Sequence, residues 1–170
     1  MGWLFLLILL VFVAISVKRL SRVWLVFGGT PLLRICGVIL FVASVFVALT
    51  AVFGGFTLAL GFDKFPADWL NGTLFRSYLI PGLILAVVVG GSATVAAVAA
   101  LRRADTGALI AMLAGAILLG WLVGERLILP SRAFVPQFWW LEALYILAGL
   151  MMVVPALAVW LVVHRRTTAA

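Results

Sequence analysis

The side chains that could do chemistry in this chain are few: Glu125, Glu142, Arg76, Arg126, Arg132, Trp121, Tyr78 and Tyr145. Two carboxylates can perform acid–base work when their surroundings push their pKa values apart, so that one holds a proton while the other stays ionised. Carboxylates beside arginines also have a purely structural use, as charge-assisted pairs that fix helix ends. Glu125 interrupts an apolar run on the stripe of Gly120 and Gly124, and there a carboxylate loses water and needs a cation or donors. Arg76 and Arg132 are its candidate partners, because the adjacent Arg126 points elsewhere on the helix. Both readings of Glu125 and Glu142, structural and functional, stand open at this point. Together with the aromatic residues they outline a shallow pocket at one end of a helix bundle, suited to a ligand or a partner.

The rest of a catalytic apparatus is missing from the sequence. It has no acidic metal cluster, no nucleophile beside a base and no glycine-rich phosphate loop, so a non-enzymatic role is expected. Cys36 is the single cysteine, which forbids an internal disulfide and a thiolate metal cage. Its apolar neighbours mark it as a small core residue. His164 is the single histidine and abuts Arg165 and Arg166, an interfacial position with no second histidine to complete a metal or haem site. No metal and no cofactor are expected.

These residues must be positioned by membrane helices. The chain of 170 residues is 67% apolar and 10% charged, too poorly charged for a soluble surface. The apolar runs predict an all-α, polytopic transmembrane bundle of five spans, at about 2–20, 32–60, 75–101, 106–129 and 138–163. The whole of 1–170 reads as one transmembrane domain, in which 1–30 is an added N-terminal helix and basic connection and 31–164 is a four-helix core. Residues 18–30 read as that connection, with Val23 to Phe27 lying at the interface, and Thr30-Pro31 as a capping hydroxyl followed by a first-turn proline. Gly54-Gly55 either breaks the second span or packs within a tilted one. Pro155 should kink the last span.

Charge gives the orientation. Lys18, Arg19, Arg22, Arg34, Arg102, Arg103, Arg165 and Arg166 fall on one side, against Asp105 alone, for a net +7. On the other side Lys64, Arg76, Arg126 and Arg132 balance Asp63, Asp68, Glu125 and Glu142. Cytoplasmic loops carry the excess of Lys and Arg, so the N-terminus should lie outside and the C-terminus in the cytoplasm, in a bacterial cytoplasmic membrane. Cations grouped in twos and threes at membrane edges suit anionic headgroups; nucleic acid is not an expected partner.

Small residues recur every fourth position on the fourth span: Gly107, Ala111 and Gly115 on one stripe, Ala116, Gly120 and Gly124 on another. The third span repeats the pattern with Ala86, Gly90, Ala93 and Ala97. Such stripes let helix backbones approach closely where lipid gives no hydrophobic drive, and both are expected to pack within the bundle.

The segments Phe75-Arg76-Ser77-Tyr78-Leu79-Ile80-Pro81-Gly82-Leu83-Ile84-Leu85, Gly120-Trp121 with Glu125, and Tyr145 with Gly149-Leu150 resemble a broad group of small, uncharacterised bacterial integral membrane proteins with four core helices. The resemblance covers about residues 31–155 and leaves 1–30 as an addition; it implies a helical membrane fold and brings no activity. The expected function is a non-catalytic integral membrane subunit or accessory protein that packs against other membrane subunits and contacts lipid. The alternative is a small transporter, channel or lipid-binding protein using the outer Glu/Arg/aromatic pocket, although no polar residues at mid-depth offer it an aqueous path.

Overall fold

The computed structural model describes residues 2–62, 70, 75–128 and 139–167. Among them the chain is helical between short turns, with no strand. We number five helices: α1 (Gly2–Val26), α2 (Pro31–Ala59), α3 (Leu79–Ala100), α4 (Ala104–Ile128) and α5 (Trp139–Thr167). Four of them, α2 to α5, are long and apolar enough to cross a membrane. The expected loops around 61–76 and 130–137 lie largely outside the described residues.

The N-terminal part departs from the sequence reading. Helix α1 does not give way to a basic connection near residue 20 but continues to Val26. The reason is packing. Val23 and Phe27 are fully buried, and the Phe27 ring fills the space that Gly37 leaves by lacking a side chain. The true connection is a tight turn in which Gly29 takes a φ of 107°, a left-handed conformation that favours glycine. Pro31 opens α2 as expected, but Thr30 makes no side-chain capping bond. Farther from the turn, Phe12 meets Phe46 edge-on at 6.1 Å, so α1 lies antiparallel along α2.

Helix α2 is unbroken through Gly54-Gly55. A Cβ on Gly55 would lie 2.5 Å from the Ala86 nitrogen and the Gly82 oxygen, whereas one on Gly54 would meet nothing within 4 Å. Gly55 is therefore the point at which α2 and α3 cross backbone to backbone. Helix α3 starts at Leu79, later than expected, with Pro81 in its first turn where a missing N–H is harmless. It widens into a π-helix over Ile84–Gly90 and returns to α-helix over Gly91–Ala100. Helix α5 runs on through Pro155.

The core helices form a ring in which α2 packs on α3, α3 on α4, α4 on α5 and α5 back on α2, with α1 laid against α2. Its interior is built from Leu40, Phe41 and Val47 of α2, Val89 and Ala93 of α3, Ala108, Ala111 and Leu118 of α4, and Met152 and Val159 of α5. Alanine-rich faces on α3 and α4 bring these helices close together.

Candidate functional site

At the end of the bundle opposite Arg34, the last turn of α4 faces the first turn of α5. Arg126 and Glu142 form a two-pronged pair there: Arg126 Nε donates to Glu142 Oε1 at 2.6 Å, and Nη2 donates to Oε2. The polarity is favourable at both ends. A cation in the last turn and a carboxylate in the first turn each complement the dipole of their own helix. The planar guanidinium fork also fixes the mutual orientation of the helices, which a lysine could not do.

This geometry reverses the expected roles of two neighbours. Successive residues on a helix differ by about 100°, so Glu125 and Arg126 cannot both face α5. Arg126 does so, and Glu125 stands about 100° round the helix, at the exposed end of the face that carries buried Ala114 and Leu118. Among the described residues no hydrogen bond or ion pair engages Glu125. Arg76, one expected partner, is exposed ahead of α3 without an ion pair to it; the other, Arg132, lies outside the described residues.

The aromatic members of the pocket belong to the interior. Tyr145 is half-buried beside Thr50 and packs its ring against Phe46 at 6.1 Å. Thr50 in turn donates to the Phe46 carbonyl at 2.8 Å. Trp121 lies half-buried against the same core, and Tyr78 is half-buried in the turn before α3. Two parts of the expected pocket are thus already engaged: Glu142 is held by Arg126, and the Tyr145 ring packs against Phe46. Among the described residues no group of three or more His, Cys, Asp or Glu side chains could hold a metal.

The small stripes of α4 also divide. Gly107, Ala111 and Gly115 are buried; Gly107 sits against Ala100, and Gly115 against Met152, Val153 and the Gly149 carbonyl. The second stripe does not pack within the bundle as expected. Ala116 and Gly120 are exposed, Gly124 is half-buried, and a Cβ on either glycine would meet nothing within 4 Å. The buried face of α4 is fixed by Ala108, Ala111, Ala114 and Leu118, and the second stripe lies off that face. Sequence reasoning left the role of Gly55 open between a break and packing, and missed the close packing of Gly82 and Gly149. For the first two the four-residue spacings Ala51-Gly55-Ala59 and Gly82-Ala86-Gly90 were the available signal.

No protein-family model, no curated protein and no solved structure matches this chain.

Proposed function

We propose that this protein is a non-catalytic integral membrane subunit that docks against a larger membrane assembly through the outer face of α4. The observation that carries this reading is the outward stripe Ala116-Gly120-Gly124, along which a Cβ on either glycine would meet nothing within 4 Å. A stripe without side-chain bulk gains little against fluid lipid and gains close contact against a helix. The alternative of an outer-pocket transporter is disfavoured because Arg126 already occupies Glu142.

In this reading α1 is a fifth span. Its 25 residues reach about 37 Å, and its antiparallel contact with α2 at Phe12 carries it across the same depth. The basic end faces the cytoplasm of a bacterial cell, and the Arg126–Glu142 end faces out.

The test is purification of the tagged full chain in mild detergent, with mass spectrometry of what accompanies it. A stoichiometric membrane protein that is lost with Gly120→Leu, while the variant itself remains folded, supports the reading. A lone monomer from both proteins contradicts it.

A further inference from the structure

The basic end of the α1–α2 hairpin holds a cation whose surroundings leave it unfinished. Arg34, on the first turn of α2, lies over the Trp24 ring with its guanidinium carbon 5.5 Å from the ring centre. Its Nε is buried and has no hydrogen-bond partner among the described residues. Arg34 as a whole is half-buried, and the described residues supply no ion pair to it. A buried donor on a charged group left without an acceptor is costly, more so than a neutral one.

The local field makes the cost larger. The first turn of α2 contains no acidic residue, and Thr30 leaves the leading backbone N–H groups without a side-chain acceptor. The positive end of the helix dipole therefore adds to the Arg34 charge instead of offsetting it. Lys18, Arg19 and Arg22 are exposed on the neighbouring α1, and neither α1 nor α2 carries any Asp or Glu. Every one of these groups asks for an anion, and among the described residues the one carboxylate at this end, Asp105, forms no ion pair with any of them.

Height along the bundle indicates where that anion comes from. Helices rise about 1.5 Å per residue. Counting from the Phe12–Phe46 contact sets Lys18 about level with Leu40 of α2, and counting from the Gly90–Val52 contact sets the end of α3 about level with Val42. Lys18, Arg19 and the Arg102-Arg103 turn thus form one rim, and Arg34 with Trp24 lies beyond it. That is the depth of the headgroup layer for a bundle whose apolar spans end at the rim. Trp24 is 44% exposed, as suits an amphipathic ring at that level.

We infer that Arg34, seated over the Trp24 ring, binds the phosphate of an anionic phospholipid in the leaflet at the basic end. The guanidinium fork matches phosphate oxygens, and the exposed side of Trp24 lies against the lipid's glycerol and upper acyl region. This inference rests on the membrane placement proposed above, but not on the docking face of α4.

The full chain, purified in mild detergent, is titrated with phosphatidylglycerol, phosphatidylcholine or inorganic phosphate, and bound lipid is counted by native mass spectrometry. Phosphatidylglycerol should be retained about tenfold more tightly than phosphatidylcholine, and Arg34→Gln should remove that preference. Lys18→Gln should keep most of it, and Arg34→Lys should keep only part. Where Arg34→Gln does not fold, Trp24→Leu decides: the charge remains, the platform is gone, and the preference should fall severalfold. Equal retention of the two lipids, or an Arg34→Gln protein that behaves like the parent, overturns the site. Displacement of phosphatidylglycerol by inorganic phosphate at matched ionic strength overturns the lipid as its ligand. The measurement is made in detergent, where orientation plays no part, so its failure is distinct from a failure of the topology.

Discussion

Glu125 and Arg126 show how much one residue's rotation decides. The arginine closes the α4–α5 contact, and the glutamate beside it falls on the line of buried Ala114 and Leu118, where it ends exposed and unpaired. Removing Glu142 strands Arg126 at that contact, so Glu142→Ala should lower the thermal midpoint in detergent. Glu125 makes no hydrogen bond or ion pair, so Glu125→Ala should leave the midpoint near that of the parent. A large midpoint loss from Glu125→Ala would place this side chain inside the bundle after all. Ser44 offers a second test at this scale. It is fully buried on α2 with its hydroxyl unpartnered, so Ser44→Ala should be neutral or stabilising by about 1 kcal/mol. Unfolding in mixed micelles measures this, and a clear destabilisation would mean that the hydroxyl is bonded.

Helices and their approximate limits were legible because uninterrupted apolar runs leave few alternatives in lipid. Their facing was not. On a soluble helix the polar side marks the outside, but α4 is apolar all round, and a four-residue spacing of small residues occurs on both its buried and its exposed faces. The π-helix at Ile84–Gly90 left no local signature, and the connection at 18–30 was misread because its basic residues hid Val23 and Phe27, which bury against α2. Of the candidate site, carboxylate–arginine pairing was visible as a structural use, but which arginine meets which carboxylate was not, since a single helix step separates Glu125 from Arg126. The glycines test the facing directly. Gly55→Ala must push Gly82 and Ala86 backbone aside and should cost about 2–3 kcal/mol. Gly54→Ala meets open space and should be neutral or gain up to about 1 kcal/mol. Equal effects from the two substitutions would contradict the α2–α3 crossing.

At the scale of the whole molecule, charge and packing describe an asymmetric bundle: a basic end with Arg34 and Trp24, and a nearly neutral end where Arg126 and Glu142 clamp two helices. With Cys36 replaced by alanine, a cysteine at Asn71 should react with an impermeant maleimide on intact cells, and one at Thr168 should not. The reverse pattern would invert the topology and leave the fold untouched. The outward face of α4 is the central claim, and photo-cross-linking in living cells tests it most directly. A photoreactive residue at Ile117, beside the small stripe, should give one discrete adduct with another membrane protein, and a residue at Leu10 on the exposed side of α1 should give none. Adducts with lipid alone from Ile117, or the same protein adduct from both positions, would contradict the account.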